Sequence, residues 1–391
     1  MTPPPRRILV VGHGVRPTGY ARILRSLLAD LHLRGYNVHH AAVNWPGPPP
    51  RTPWTTHNNP LPGDPYGLRG LPSLLDAVRP DTVVVLHDLW ITAQHTALIR
   101  AHSPRTTVLA YCPLDGPVTR PELIAGLSDA DVVIACTRFG SAQLSRLTDL
   151  TAPVVPHGVD HTAFHPLRRP RRHVRRLLFP AHTDLDDAFV VLNANRHNLR
   201  KRLDLTLDGF ALFAHDKPPH VKLYLHAGLD PNTLPDPGSY LALRKDGRLL
   251  TTDQDSAEFP QLTDQQLNLV YNACDVGLNT ATAEGFGLVP FEHAATGAAQ
   301  VMPAHPTCTE LWPTGTVLLP VGAPVTYPGD YIEHRAVTPS AVAEALDRLY
   351  ADRVALAEHS RAAMGNATNP RYGWDTVLDD WYRLLDDGPR G

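Results

Sequence analysis

Cysteine is scarce in this chain of 391 residues: Cys112, Cys136, Cys274 and Cys308 lie far apart, with no Cys-x-x-Cys pair. That argues against a disulfide framework and a structural zinc site, and it fits a reducing compartment. Long apolar runs are missing too, since nowhere do about 18 apolar residues follow one another. Near the N-terminus only Ile8 to Val11 are apolar before Gly12, shorter than the apolar core of a signal peptide. The expectation is a soluble, cytoplasmic protein with no stable membrane insertion. Charge of one sign is also lacking. With 19% charged residues and a formal net charge of -3, nothing calls for a nucleic acid or another polyanionic partner. Histidine is plentiful, 21 in all, yet scattered and without a His-Glu-x-x-His pair, so no metal site is expected.

What is present is an ordinary globular balance, 43% hydrophobic, which excludes wholesale disorder. Proline reaches 39 residues, about twice its usual share, and clusters in stretches such as Pro46-Gly47-Pro48-Pro49-Pro50, where it stiffens loops. The length suggests two domains of roughly 150–200 residues each.

Short apolar runs alternate with segments of helical period. Ile8–Val11 reads as a buried strand, and a glycine-containing loop leads to a helix carrying Ile23, Leu24, Leu27, Leu28 and Leu31, closed at Gly35. Strands are expected at Val38–Val43, Thr82–Leu86, Thr107–Tyr111 and Val132–Cys136, with helices at Leu71–Val78 and Gly140–Leu147. The basic stretch from Arg168 to Arg176 reads as a solvated linker. Beyond it the plan repeats, with strands at Phe189–Asn193, Val221–His226 and Val276–Leu278 and helices at Leu205–Phe213 and Gln265–Ala273. This cadence means an α/β fold: two doubly wound, Rossmann-like parallel sheets whose ligands lie beyond the carboxyl ends of the strands. The boundaries fall at 1–165 for the first domain, 166–188 for the linker, 189–370 for the second domain and 371–391 for a terminal helix. Trp374, Val377, Leu378, Trp381 and Leu384 on one face of that helix imply docking.

Two segments carry chemistry. After the strand at 276–278 comes Asn279-Thr-Ala-Thr-Ala-Glu284-Gly-Phe-Gly-Leu-Val-Pro-Phe-Glu292, opening a helix with Pro290 and Glu292 in its first turn. Glycines 285 and 287 allow a ligand to approach the backbone, helix-start N–H groups suit an anion, and the carboxylates can accept from sugar hydroxyls. The second segment follows the strand at 189–193. Arg196, Arg200, Lys201 and Arg202 gather positive charge there, the combination of fork and point charge that suits a pyrophosphate.

Together these segments resemble the retaining nucleotide-sugar glycosyltransferases of the GT-B architecture, specifically glycosyltransferase family 4. The carriers are Glu284 and Glu292 separated by seven residues, and Arg196 with Lys201. Further echoes are Val154-Val-Pro-His-Gly-Val-Asp160 and Leu269-Val-Tyr-Asn-Ala-Cys-Asp275. The resemblance implies that the second domain binds a UDP- or GDP-sugar as co-substrate, with no resident cofactor or metal. Arg196 and Lys201 would grip the diphosphate, Glu292 the ribose and Glu284 the transferred sugar. The backbone of Gly285, Phe286, Gly287 and Leu288 would touch the donor, and Gly19 would approach the diphosphate. The first domain would bind a natural-product, peptide or glycan acceptor, and the terminal helix would cross back to it. The first domain departs from the family pattern where many members carry a histidine after the strand at 107–111. Here Asp115, in Pro113-Leu-Asp115-Gly, and His87, in His87-Asp88, are the candidates to face sugar or acceptor. On this reading Lys201→Ala or Glu292→Ala should abolish turnover with the melting temperature near wild type. Epimerases and hydrolases of the same architecture, and a catalytically silent nucleotide-sugar binder, are the alternatives.

Two weaker patterns are set aside. Gly12-x-Gly14 with Gly19 is spaced wrongly for a dinucleotide fingerprint, and Ala41-Ala-Val-Asn-Trp45 lacks the acidic residue that takes a ribose. Asp253-Gln-Asp255 has a metal-binding form without a supporting pattern.

Overall fold

The computed structural model describes residues 5–15, 18–180, 183–252 and 260–387; Asp253 and Asp255 lie outside the described residues. The chain divides into two compact units. Unit 1 comprises Met1–Gly158, Thr326–Ile332 and Trp374–Gly391, and unit 2 comprises Val159–Val325 and Glu333–Gly373.

Unit 1 is built on six strands, β1 (Arg7–Gly12), β2 (Asn37–Ala42), β3 (Thr55–Asn58), β4 (Thr82–Leu86), β5 (Thr107–Cys112) and β6 (Val132–Ala135). Its sheet runs β3-β2-β1-β4-β5-β6 with every neighbour parallel. Ile8, Leu9 and Val10 in β1, and Val83 to Leu86 in β4, are fully buried, as central strands covered on both faces must be. The terminal helix Trp374–Asp387 belongs to this unit: Trp381 is fully buried and meets the Tyr111 ring edge-on at 5.0 Å. The docking face includes Leu385 in place of Leu384, one residue round the helix.

Unit 2 has β7 (Phe189–Asn193), β8 (Val221–Leu225), β9 (Leu249–Thr251), β10 (Val276–Leu278), β11 (Ala299–Pro303) and β12 (Thr316–Leu319), in the order β12-β11-β10-β7-β8-β9 and again all parallel. Phe189, Phe210, Phe213, Leu346 and their neighbours fill the core, each such side chain worth about 1.5–3 kcal/mol when removed from water. Gly209 sets the approach of helix Leu203–Ala214 to helix Pro339–Ala351, because a Cβ there would lie 2.6 Å from that of Val342.

The basic stretch is solvated only in part: Arg168, Arg169, Arg172 and Arg176 are exposed, whereas Arg175 is buried. Arg171–Leu178 is a helix, and its residues Arg171 and Arg175, one turn apart, both reach Asp275. Arg171 Nη1 lies 2.8 Å from Asp275 Oδ1, and the buried Arg175 Nη2 lies 2.7 Å from Oδ2. Arg175 also donates to the carbonyls of Ala273 and Ala188, at 2.9 and 2.8 Å, while Asp275 Oδ2 accepts the Val190 N–H at 2.7 Å. The helix thereby fastens the starts of β7 and β10. Periodicity could not show this, because the inward face of the helix is cationic, not apolar.

In each sheet the chain first builds outward on one side and then crosses to the other. The crossing falls between β1 and β4 in unit 1 and between β7 and β10 in unit 2. Loops leaving the carboxyl ends of such paired strands part and open a crevice, the usual ligand position in this kind of sheet. No helix among the described residues is long and apolar enough to cross a membrane.

Candidate active site

At the crossing in unit 2 the loop after β7 meets the loop after β10. Asn198 opens a single 3₁₀ turn, Leu199–Lys201, by accepting the Lys201 N–H through its side chain. Arg202 then takes a left-handed conformation, φ 44°, that turns the chain into helix Leu203–Ala214. That turn carries Lys201 inward, and its Nζ donates to Glu284 Oε2 at 2.6 Å. Arg200 Nη1 stands 3.6 Å from Oε1 of the same carboxylate and donates to the Ala283 carbonyl. Asn279 Nδ2 donates to Glu284 Oε2 at 3.2 Å, and the Thr307 hydroxyl donates to the Glu284 carbonyl. The backbone joins the loops as well, with Thr282 N–H donating to the Arg200 carbonyl at 2.8 Å. Burial alone would push the Glu284 carboxyl up. The charges of Lys201 and Arg200, with the hydrogen bonds from Lys201 and Asn279, outweigh it and hold the group at about 2. Glu284 is therefore ionised at neutral pH, with Oε2 accepting from Lys201 and Asn279 and Oε1 3.6 Å from Arg200 Nη1.

Past Glu284 the chain reaches helix Leu288–Ala295 through Gly287, whose φ of 82° is a conformation that favours glycine. Phe286 turns its ring inward onto Phe291, centroids 4.7 Å apart, so at that position only the backbone is offered outward. Glu292 is the fifth residue of the helix, a turn deeper than the sequence suggests, and its Oε2 accepts from the Tyr271 hydroxyl at 2.9 Å. Arg196 is exposed and makes no ion pair among the described residues. The crossing thus joins Lys201 directly to Glu284, places Glu292 on the helix that follows, and leaves Arg196 in solvent. The expectation that Lys201→Ala and Glu292→Ala spare stability needs correction, since each group is bonded to a buried partner. Asn279 and Tyr271 are contributors that spacing did not single out, although both stand inside the quoted motifs.

Unit 1 is different at its crossing. Its first loop carries His13, and β4 is followed directly by His87-Asp88. His87 is 3% exposed, and its ring lies 4.6 Å from that of His13 and 5.3 Å, edge-on, from that of Tyr66. Its Nδ1 accepts the Asp88 N–H at 2.7 Å, which puts the ring proton on Nε2, where it has no partner. Burial, helped by repulsion from His13 and His95, lowers this imidazole to about 3, so it is neutral. Asp115 is half-buried in the turn after β5. Gly19 is the exposed first residue of helix Gly19–Leu33, capped by the Thr18 side chain, which accepts the Ala21 N–H at 3.1 Å. Gly12 and Gly14 have packing reasons to lack a side chain. A Cβ on Gly12 would lie 2.5 Å from the Leu86 carbonyl oxygen, and one on Gly14 would lie 2.1 Å from the His40 ring. Among the described residues no group of three His, Cys, Asp or Glu side chains is arranged to hold a metal ion.

No family model matches the chain, and no curated protein does. Solved structures do. Sucrose-phosphate synthase from Thermosynechococcus elongatus matches at a TM-score of 0.74 and 19% identity, over 98% of this chain and 99% of that one. HepE from Anabaena, solved in complex with UDP and glucose, matches at 0.70 and 17% identity, over 98% and 100% of the two chains. A UDP-forming alpha,alpha-trehalose-phosphate synthase from Burkholderia vietnamiensis matches at 0.66 and 13%, over 99% and 100%. At these identities the likeness establishes the fold. The chain has the GT-B architecture, with two doubly wound parallel-sheet units and the terminal helix in the first.

Proposed function

We propose that the chain is a retaining glycosyltransferase of family 4 type, which moves a hexosyl group from a UDP- or GDP-sugar held by unit 2 to an acceptor held by unit 1, without a metal ion or resident cofactor. One observation carries the reading: Lys201 and Arg200 close on Glu284 where the loops after β7 and β10 meet, at the start of a glycine-led helix. The solved relatives of this fold include proteins whose names or bound ligands involve UDP. In this account Lys201 and Arg196 stabilise the charge that develops on the departing diphosphate, the largest kind of term in such chemistry. Glu292 holds ribose hydroxyls and Glu284 hydroxyls of the transferred sugar, with the backbone from Gly285 through Phe286 and Gly287 to Leu288 in contact with the donor. Gly19 approaches the diphosphate, and His87 and Asp115 face sugar or acceptor. The leaving phosphate takes the acceptor's proton on the same face, so no separate general base is needed and positioning dominates.

The test is a thermal-shift screen with UDP-, GDP- and dTDP-sugars, followed by NMR of the product anomer. Stabilisation by one donor and a product of unchanged anomeric configuration is the expected result. Free sugar or an epimer formed without acceptor would favour the alternatives. Donor binding without nucleotide release, whatever the acceptor, would favour a silent binder.

A further inference from the structure

The crossing in unit 1 has its own chemistry. Helix Leu89–His102 starts there with Asp88 as its N-cap, yet the Asp88 side chain makes no cap hydrogen bond. An aspartate in that position ordinarily accepts from the N–H two or three residues on. Here its Oδ1 instead accepts from the Tyr20 hydroxyl at 3.0 Å, and the side chain is half exposed. A carboxylate has about four acceptor positions, so most of its capacity faces outward. Beside it stand the rings of Tyr66 and Trp90, edge to face at 5.4 Å, and the His87 imidazole, whose buried Nε2–H has no partner.

A segment from far along the sequence completes the cluster. Within unit 1, Thr119 N–H donates to the Tyr331 carbonyl at 2.8 Å, and Val118 bridges Ile332. This holds Tyr331 beside the start of helix Leu89–His102, where burial raises its pKa, the carboxylates of Asp115 and Asp88 raise it further, and the nearby Leu89 N–H lowers it. The start of a 14-residue helix would otherwise be an anion site. Tyr331 fills it with a neutral hydroxyl, and the two carboxylates repel a phosphate. Among the described residues of the loops leaving β1, β4 and β5, at 13–15, 87–88 and 113–120, Arg120 is the one cation, and its Nε is paired with Glu122 Oε1 at 2.9 Å; Arg16 lies outside the described residues, and Arg138 opens the helix after β6, two strands from β4.

We propose that this cluster selects an acceptor that carries an ammonium group among its hydroxyls, an amino sugar or a similar aminated polyol, and rejects a phosphorylated sugar. The inference rests on the glycosyl-transfer reading given above. Asp88 receives the ammonium, the Tyr66 and Trp90 faces take the carbon skeleton and add cation–π attraction, and Tyr331 is the residue that excludes phosphate.

The test uses the full chain with the donor that stabilises it, and three acceptors that differ at one carbon: 6-amino-6-deoxyglucose, glucose and glucose 6-phosphate. Release of nucleoside diphosphate should give a kcat/KM for the amino sugar about tenfold or more above that for glucose, the worth of one charge-assisted hydrogen bond, and glucose 6-phosphate should be poorest. Asp88→Asn should bring the amino-to-neutral ratio within about threefold of unity. Tyr331→Phe should raise the relative use of glucose 6-phosphate. These are ratios within one protein, so partial loss of folded enzyme does not move them. Preference for glucose 6-phosphate, a ratio unchanged in Asp88→Asn, or turnover of none of the three while the donor still raises Tm would each overturn the proposal. Failure of every nucleotide sugar to raise Tm would instead bring down the glycosyl-transfer reading, and this inference with it.

Discussion

The two crossings present the same strand geometry with opposite chemistry. Between β7 and β10 a lysine and an arginine converge on a buried carboxylate, and the loops are tied by backbone hydrogen bonds. Between β1 and β4 the ring of His87 is neutral, its neighbours are aromatic, and the nearby carboxylates belong to Asp88 and Asp115. A parallel sheet supplies the crevice, but the residues just past each strand decide whether it suits an anion or a polyol.

The contrast can be broken most severely at Lys201. Lys201→Ala should lower kcat by about 10²–10³ or more, as loss of a preorganised charge does. It should also destabilise unit 2 by about 3–5 kcal/mol, because Glu284 stays buried with Arg200 as its remaining cation, 3.6 Å away. Steady-state kinetics and urea unfolding read both effects. Arg175→Ala comes next. It leaves Asp275 without its buried partner and should cost about 3–5 kcal/mol of stability, whereas the exposed Arg172→Ala should stay within about 0.5 kcal/mol. Equal effects of the two would restore the solvated-linker reading.

Acid separates the crossings by a smaller margin. Burial lowers His87 to about 3, below its unfolded value of 6.5, so below pH 6.5 the unfolded chain takes a proton that the folded one refuses. Its share of stability is whole above pH 6.5 and is lost as pH falls toward 3. By pH 5 this amounts to about 2 kcal/mol. Glu284 has a folded value of about 2 against 4.5 unfolded, so its contribution is whole above pH 4.5 and fades only below that. Urea midpoints between pH 7 and pH 5 should therefore fall less steeply in His87→Gln and keep the wild-type slope in Glu284→Gln.

Sequence reading succeeds where one force dominates. Strands β4, β7 and β10 match their expected limits because short, mostly apolar runs mark Thr82–Leu86, Phe189–Asn193 and Val276–Leu278. Strand β3, with the polar sequence Thr55-Thr-His-Asn58, and the three-residue β9 escape notice because sheet-edge positions need no such run. Helix Leu89–His102 is hidden because its inward face includes Thr92, His95 and Thr96, which are buried through hydrogen bonds. At the site, Glu284 and Lys201 are legible from spacing. The ion pair between them is not, since 83 residues separate the two in the chain. Tyr331 gives no sequence signal at all, as only the fold brings it beside Asp115.

Arg196→Ala should have the smallest effect on stability, within about 0.5 kcal/mol, because the side chain is exposed. That makes it the cleanest probe of where the diphosphate binds. Calorimetric titration of UDP and GDP into wild type, Arg196→Ala and His87→Gln is the most direct measurement. The account predicts that the preferred nucleotide binds about tenfold or more weakly to Arg196→Ala, the worth of one charge-assisted contact, and unchanged to His87→Gln. Undiminished binding to Arg196→Ala, with loss confined to His87→Gln, would place the diphosphate in unit 1 and contradict it.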